Sequence, residues 1–276
     1  AAVLAGIGQA ARNGVLIKGG VHLENLGRTQ VMAFDKTGTL TEGRFQVTDI
    51  VSLNGASQEQ ILRIGAAAEQ QSNHPLAQAV VQAAQERNVR LPLAEQMETI
   101  AGRGIRGTID GRSVVIGSLR FVTDTDGLSV SDDVVHAVDG LEEGGKTSFL
   151  VGYAGELLGV VALADRARPD VRQTMQRLRD LGVQHLVMLT GDNEVVANAI
   201  GKLVGVTDVR AGLLPEQKLD AIVELEREYG EVAMTGDGVN DAPALAQATV
   251  GIAMGGAGTA VALEMADGAL MADDLG

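Results

Sequence analysis

The chain has 276 residues, enough for one large domain or two ordinary ones, and its 2% aromatic content means that the cores must be built mainly from aliphatic side chains. The net charge of −14, with no segment rich in Lys and Arg, argues against a nucleic-acid partner. Because the chain has no cysteine, disulfides and thiolate metal sites are excluded.

The first 35 residues predict two helices and two strands. Residues 1–13 and 21–26 have helical patterns, and 15–18 is a short apolar segment typical of a strand. Residues 29–34 form a continuous apolar run, typical of a strand that is buried on both faces, and the run ends directly on Asp35.

The middle of the chain predicts an antiparallel sheet. Ser57 can cap a helix that runs to about residue 71, and Pro75 is suited to the first turn of a second helix that runs to about residue 88. Segments broken by glycines and turns predict several strands, which we expect to carry these helices on one side. The predicted strands are 47–53, 97–101, 105–110, 112–117 and 147–153.

After residue 156 the pattern alternates between apolar strands and helices, which predicts a parallel sheet with helices on both faces. The predicted strands are 157–163, 185–190, a short one near 209, 231–234 and 250–253, and the predicted helices are 169–181, 194–204, 215–229 and 242–247. The fold class is therefore α/β, with one domain formed by 1–45 and 155–276 and interrupted by an α+β domain formed by 46–154.

Carboxylates follow three of the predicted parallel strands. Asp35 follows the first, Asp192 follows another, and Asp237 and Asp241 follow a third, while Lys218 opens an intervening helix. Ligands bind at the carboxyl ends of strands in open parallel sheets, so we expect these groups to converge. Each Asp alone could simply cap a helix or a turn. Together they predict an oxygen-ligand site for Mg²⁺ and a carboxylate that attacks phosphorus.

Three motifs in this part of the chain resemble those of P-type ATPases, a family whose catalytic domain has the haloacid-dehalogenase fold. The motifs are Asp35-Lys36-Thr37-Gly38-Thr39-Leu40-Thr41, Thr190-Gly191-Asp192-Asn193 and Thr235-Gly236-Asp237-Gly238-Val239-Asn240-Asp241-Ala242-Pro243-Ala244-Leu245. Their order and spacing also fit, and the resemblance covers essentially the whole chain. It implies that 1–45 and 155–276 form a phosphorylation domain and that 46–154 is a nucleotide-binding domain.

The resemblance implies a role for each motif residue. Asp35 would be the nucleophile that ATP phosphorylates, and Thr190 and Lys218 would hold the phosphoryl oxygens. The implied Mg²⁺ ligands are Asp35, the backbone carbonyl of Thr37, Asp237 and Asp241. The other residues implied to line the nucleotide and phosphate crevice are Lys36, Thr37, Gly191, Asp192 and Asn240.

Thr37 separates a pump from a phosphatase. Phosphatases of this fold usually carry an acidic residue two places after the nucleophile, where it protonates the leaving group and later activates water. Thr37 cannot do either, which predicts a long-lived aspartyl phosphate. A phosphatase of the same fold and a non-catalytic nucleotide-binding regulator are alternatives that Thr37 and the intact set of charged residues oppose.

In the inserted domain, Glu69, the pair His74-Pro75 and the glycines Gly102 and Gly104 resemble the nucleotide-binding hallmark of heavy-metal pumps. The resemblance implies that Glu69, His74 and Ile105 contact the nucleotide, and that Gly102 and Gly104 let the backbone approach it. A lone His before Pro is otherwise a common helix-start residue. A Rossmann interpretation of the glycines is disfavoured because residues 108–111 continue as a strand.

Two other segments leave their roles open. Gly144-Gly145-Lys146-Thr147 could hold phosphates or form a hinge turn, and Asp165 is a weaker candidate near the nucleotide.

Several segments are more similar to zinc, cadmium, lead or cobalt pumps than to copper pumps, with a copper pump as the alternative. They are 17–20, 211–215, 254–259 and 262–267. The resemblance implies that the transported divalent metal is bound by membrane helices outside this chain, and that an actuator domain of the same full-length protein acts on the phosphorylated aspartate. We therefore expect a soluble portion of a pump at the cytoplasmic face of the cell's inner membrane.

Overall fold

The computed structural model describes residues 2–100, 103–125, 128–238, 240–255, 260–271 and 275. The chain forms two compact units, one made of Ala1–Gly43 with Arg166–Gly276 and the other of Arg44–Asp165. We call them the parallel unit and the antiparallel unit, after their sheets. Within the described ranges, no helix has both the length and the apolar character needed to cross a membrane.

The helices are α1 (Ala2–Arg12), α2 (Gly20–Leu26), α3 (Gln58–Glu69), α4 (Pro75–Glu86), α5 (Leu119–Thr123), α6 (Asp132–Glu143), α7 (Val171–Asp180), α8 (Glu194–Val204), α9 (Pro215–Tyr229), α10 (Ala242–Gln247) and α11 (Ala260–Met265). The strands are β1 (Val15–Ile17), β2 (Val31–Asp35), β3 (Thr41–Ser52), β4 (Ala94–Ile100), β5 (Gly104–Ile109), β6 (Arg112–Gly117), β7 (Thr147–Tyr153), β8 (Glu156–Ala167), β9 (His185–Leu189), β10 (Asp208–Arg210), β11 (Val232–Gly236), β12 (Val250–Met254) and β13 (Gly268–Leu270).

The sheet of the parallel unit has the strand order β1-β13-β12-β11-β2-β9-β10. Its neighbouring strands run parallel, except that β1 pairs antiparallel with β13 at one edge. β2 lies near the middle, and all five of its residues are buried. The apolar run before Asp35 therefore forms a central strand, as its composition predicts.

Helices cover both faces of this sheet, because β2 is apolar on both. Val31 and Ala33 belong to a core cluster with Ile222 of α9, whereas Phe34 belongs to a second cluster with Met175 of α7. The predicted α/β organisation with an antiparallel insert is confirmed.

The sheet of the antiparallel unit has the order β3-β8-β7-β6-β5-β4, and helices pack on both of its faces. Val114 shares a core cluster with Ile61 of α3, whereas its neighbour Val115 shares one with Val122 of α5 and Val138 of α6. The expectation of helices on one side was therefore wrong. Successive strand residues point to opposite faces, and here both faces are apolar.

The segment predicted as parallel strand 157–163 is part of β8 and pairs antiparallel with β7, with Leu150 opposite Val160. Its composition did not distinguish the two sheets, since a strand covered on both faces is apolar throughout in either. The unit boundaries consequently fall after residues 43 and 165, whereas the sequence placed them after 45 and 154.

Four short or polar elements were not predicted from the sequence. They are α5, α6, α11 and β13. In α6 only Val134 and Val138 are buried, so its apolar stripe is one residue wide and flanked by acidic side chains. The strand β13 has three residues, too few for a pattern to be visible.

Candidate active site

Asp35 is the last residue of β2 and is buried, with 5% of its surface exposed. β2 lies between β11 and β9. Asp237 and Asp241 follow the end of β11, and Thr190 and Asp192 follow the end of β9. Because the three strands are parallel, the structure brings these residues to the same edge of the sheet.

Three carboxylates and a lysine form a compact charged cluster at this edge. Asp35, Asp237 and Asp241 each offer an oxygen, and these oxygens all lie within 4.8 Å of one another. Nζ of Lys218, near the start of α9, donates to Oδ1 of Asp35 at 2.5 Å and to Oδ1 of Asp241 at 2.7 Å. Lys218 therefore links the carboxylates of two different strand ends.

Burial dominates the electrostatics of the cluster. It raises the pKa of Asp35 to about 7, with the charge of Asp241 adding to the shift and Lys218 opposing it. Burial also raises the pKa of Asp237 to about 6, with Asp241 again adding to the effect. Burial by itself would lower the pKa of Lys218, but Asp35 and Asp241 outweigh it and the pKa is raised. One lysine charge does not balance three carboxylates, so a further cation would favour their ionised forms.

The donor set of this cluster fits Mg²⁺. The ion prefers oxygen ligands, and the three grouped side chains offer carboxylate oxygens only. Thr37 is half-buried and lies two residues beyond Asp35, in the turn Lys36–Leu40, which we call the 36–40 turn. A metal contact from its backbone carbonyl stays a prediction.

Gly38 brings the 36–40 turn directly against Asp237. Its φ is +76°, in the left-handed region that favours glycine, and a Cβ at this position would lie 1.9 Å from Oδ2 of Asp237. A side chain at position 38 and the present position of the Asp237 carboxylate therefore exclude each other.

Lys36 and Asp192 form an ion pair beside the cluster, with 2.7 Å between Nζ and Oδ2. The Thr190 hydroxyl donates to the same carboxylate at 3.1 Å and accepts from the Asp192 N–H at 3.2 Å. Gly191 and Asn240 lie in the loops after β9 and β11 and are exposed, so the ligand contacts expected of them stay predictions.

Arg168 also reaches this edge, and the sequence analysis did not select it. Its guanidinium donates to the carbonyls of Gly38 and Thr39, in the 36–40 turn. The nearby signal in the sequence is the stretch that begins at Asp165, a weaker candidate that lies three places before the arginine. Asp165 itself accepts a hydrogen bond from the Arg44 N–H at 3.0 Å, within the antiparallel unit.

In the antiparallel unit, Glu69 is the last residue of α3 and His74 is the N-cap of α4. Nδ1 of His74 accepts a hydrogen bond from the Leu76 N–H at 3.3 Å, so the helix-start role is present. Burial lowers the pKa of His74, and the neutral ring then carries its proton on Nε2, which remains a potential donor. Burial raises the pKa of Glu69 to about 7.

The glycine at position 104 has a packing role within this unit. A Cβ on Gly104 would lie 2.1 Å from the Ile116 carbonyl oxygen and 2.7 Å from the Phe121 ring, so the residue is required by close packing of β5. Ile105, predicted to contact the nucleotide, is buried in β5, and α3 packs against this strand. Gly102 lies outside the described residues.

Lys146 is paired with Asp49, with 2.6 Å between Nζ and Oδ2. This pair links the start of β7 to β3 and favours a structural role for the segment 144–147 over phosphate binding.

Comparisons with known proteins agree with this geometry. Residues 29–249 match the family model of haloacid dehalogenase-like hydrolases. The chain belongs to this family. The match begins just before β2 and ends before β12, and it therefore includes every residue of the charged cluster.

Within this family, the chain is similar to heavy-metal pumps. It is 48% identical, over 99% of its length, to a probable cadmium-transporting ATPase of Alkalihalophilus pseudofirmus, of which it covers 38%. It also matches a crystal structure of a zinc-transporting PIB-type ATPase in the E2.Pi state, with 43% identity and a TM-score of 0.75, over 99% of this chain and 44% of that one.

A third match is a solved structure of the catalytic domain of the CPx-ATPase CopB-B, from a study of its conformational changes upon nucleotide binding. Identity is 28% and the TM-score is 0.69, over 98% of this chain and 94% of that one. The predicted resemblance to heavy-metal P-type ATPases is confirmed. The chain spans 38% of the length of the cadmium-transporting relative and 94% of the length of the CPx-ATPase catalytic domain.

Proposed function

We propose that this chain is the ATP-binding and autophosphorylating part of a heavy-metal cation-transporting P-type ATPase, and that Asp35 is its phosphorylated residue. The observation that carries the proposal is the buried Asp35 carboxylate, held by Lys218 beside Asp237 and Asp241 at the carboxyl edge of the parallel sheet. A carboxylate confined next to a fixed cation and two further anions is arranged for nucleophilic attack in the presence of a metal.

In the proposed reaction, an oxygen of Asp35 attacks the γ-phosphorus of ATP. The new O–P bond forms as the bond from phosphorus to the bridging oxygen breaks, and ADP leaves with that electron pair. Lys218 favours the ionised form of Asp35 and would offset charge between the carboxylate and the phosphoryl oxygens. The Thr190 hydroxyl, which donates to Asp192 in this structure, would turn to one of those oxygens. Bound Mg²⁺ supplies further positive charge at the carboxylates and the phosphoryl group.

Thr37 determines what happens to the product. Its hydroxyl lacks the acidity to replace the carboxylic acid that a phosphatase of this fold uses to activate water. The aspartyl phosphate is therefore kept until another group hydrolyses it. In the proposed full-length pump that group comes from an actuator domain, and transported metal is bound by membrane helices.

In this proposal the antiparallel unit holds ATP. The proposed contacts are Glu69, His74, Gly102, Gly104 and Ile105. Nε2 of His74 is available as a hydrogen-bond donor. Nucleotide binding by the similar catalytic domain of the CPx-ATPase CopB-B supports this assignment.

The proposed cargo is a divalent metal of the zinc, cadmium, lead or cobalt group. Similar proteins named for cadmium and zinc support this class. The chain then works at the cytoplasmic face of the cell's inner membrane.

The test is phosphate transfer from ATP labelled on its γ-phosphate, with Mg²⁺ and the 276-residue chain. We expect acid-stable, hydroxylamine-labile label on the wild type and none on Asp35→Asn, because the amide is not a nucleophile. Asp220→Asn, which changes an exposed residue of α9, is the matched control and should label like the wild type.

Label that persists on Asp35→Asn would move the nucleophile to another residue. Hydrolysis of simple phosphate monoesters by the wild type, without transfer from ATP, would instead identify a phosphatase.

A further inference from the structure

Arg168, the residue directly after β8, donates to three consecutive carbonyls of the 36–40 turn. Its Nη2 bonds to the Gly38 oxygen at 2.8 Å, and its Nε bonds to the Thr39 oxygen at 2.7 Å. Its backbone N–H bonds to the Leu40 oxygen at 3.1 Å. One side chain and its own amide therefore fix three successive peptide groups beyond Asp35.

The 36–40 turn needs such support because it is not a regular helix. Thr37 has φ −76° and ψ 124°, and Gly38 has φ 76° and ψ −7°, so the carbonyls do not point along one helical axis. A guanidinium presents donors in a rigid planar fork that matches two neighbouring oxygens. A lysine ammonium would carry the same charge but not this geometry.

The position of the 36–40 turn determines where the Asp237 carboxylate can lie. The Cα of Gly38 packs against Asp237 so closely that no Cβ fits between them. The peptide group that joins Thr37 to Gly38 also carries the Thr37 carbonyl, the proposed fourth Mg²⁺ ligand. Arg168 holds the Gly38 carbonyl, which belongs to the next peptide group. A rotation of that group about Gly38 would shift both the Thr37 carbonyl and the Gly38 Cα that packs against Asp237.

We propose that Arg168 is a positioning residue: by holding the Gly38 and Thr39 carbonyls with its guanidinium, it sets the Thr37 carbonyl and the Asp237 carboxylate in place for Mg²⁺. This inference rests on the metal site of the proposed function. Arg168 does not touch the metal, and its effect passes through the backbone of the 36–40 turn.

The test is Mg²⁺ affinity without nucleotide, measured from amide resonances of the ¹⁵N-labelled 276-residue chain. We expect Arg168→Met to raise the apparent Kd for Mg²⁺ about 10-fold, in the range found when residues that orient metal ligands are removed. Arg168→Lys should raise it by a similar factor, because it restores the charge but not the fork. Arg166→Met, at an exposed position two residues earlier, should leave the Kd unchanged.

ATP binding in the absence of Mg²⁺, measured by calorimetry, should be the same in all variants and reports that the antiparallel unit is intact. Should Arg168→Met fail to fold, Arg168→Lys decides. Wild-type Mg²⁺ affinity in Arg168→Lys would reduce the role of Arg168 to its charge and overturn the inference, as would a wild type that binds no Mg²⁺ at these residues.

The two proposals fail differently. Normal phosphate transfer with unchanged Mg²⁺ affinity in both Arg168 variants removes the positioning role and leaves the proposed function. Weakened Mg²⁺ binding in those variants, in a chain that never transfers phosphate from ATP, removes the function and leaves the positioning role.

Discussion

Burial shifts the pKa of titratable groups in both units, but in the parallel unit a lysine opposes the shift. In the parallel unit, Lys218 lies between Asp35 and Asp241 and donates to both carboxylates. In the antiparallel unit, burial is the cause of the raised pKa of Glu69 and the lowered pKa of His74, so both groups favour their neutral forms. In the parallel unit the lysine therefore opposes part of the burial effect, whereas in the antiparallel unit burial is the cause of both shifts.

This difference matches two kinds of chemistry. A site that binds a metal ion and moves a phosphoryl group needs ionised carboxylates at fixed positions. A surface that binds a flat, largely uncharged base needs few net charges and a small number of oriented donors and acceptors. We therefore expect geometric changes to be most damaging in the parallel unit, and the pH dependence due to a single group to be easiest to isolate in the antiparallel unit.

The largest expected effect comes from Gly38→Ala, which is compared with Gly55→Ala because the two glycines have nearly the same positive φ. Gly38 and Gly55 have φ values of +76° and +77°, but only at Gly38 would a Cβ meet a carboxylate, that of Asp237. Gly38→Ala should slow formation of the aspartyl phosphate about 100-fold, since displacing a reacting group by 1 Å can cost that much. Rapid-quench labelling measures it.

Gly55→Ala is the control, because its Cβ would meet no atom within 4 Å. It should lower the thermal stability of the antiparallel unit through strain alone and leave the labelling rate unchanged. Equal labelling rates in the two variants would contradict a special role for the contact between Gly38 and Asp237.

The second effect is a pH dependence of stability due to Glu69. Its folded pKa, about 7, is above its unfolded value, so its contribution is present below about pH 4.5 and is lost as the pH rises through 7. The wild type should lose about 2 kcal/mol of unfolding free energy over this window relative to Glu69→Gln, allowing for partial solvent screening. Denaturant titrations at pH 5 and pH 8 measure the difference.

Glu59→Gln, which changes an exposed residue of the same helix, is the matched control and should follow the wild-type curve. Parallel pH profiles for the wild type and Glu69→Gln would show that burial does not discharge Glu69.

The smallest effect separates the two roles of His74. Asn is a good N-cap, so His74→Asn should retain the stability of α4 while ATP binding weakens about 10-fold, the loss expected for one hydrogen bond to a buried ligand group. His74→Ala should lose both the affinity and about 1 kcal/mol of stability. Calorimetry with ATP and thermal unfolding measure the two quantities.

Ser57 caps α3 by accepting from the Gln60 N–H at 3.1 Å, so Ser57→Ala should lose a similar amount of stability with no change in affinity. Wild-type affinity in His74→Asn would leave His74 with the capping role alone.

The sequence predicts that four charged side chains lie close together: Asp35, Lys218, Asp237 and Asp241. Ligands bind at the carboxyl ends of parallel strands, so this prediction needs only the order of the strands and the residues that follow them. The sequence did not assign the strand 157–163 to its sheet, since a strand buried on both faces has the same composition in either. The contact of Arg168 with Gly38 joins residues 130 positions apart. The acceptor is a backbone carbonyl, which every residue has, so the pattern of side chains does not predict this contact.

The capping contact of His74 shows a different limit of prediction from sequence. The dipeptide His-Pro predicts both a helix start and a ligand contact, and the ring has two nitrogens, so each interpretation can hold for one of them. The packing of Gly104 against β6 shows the same ambiguity, since a glycine near a proposed ligand also fills a place where no Cβ fits.

The neighbouring positions of β3 and β8 have a consequence for how this architecture is assembled. The chain enters the antiparallel unit through β3 and leaves it through β8, and these two strands are adjacent in one sheet. The backbone of the parallel unit is thus interrupted at a single gap, between Gly43 and Arg166, that is only about one strand spacing wide. A tight hairpin spans that distance, so the chain of the parallel unit can be closed there without the antiparallel unit.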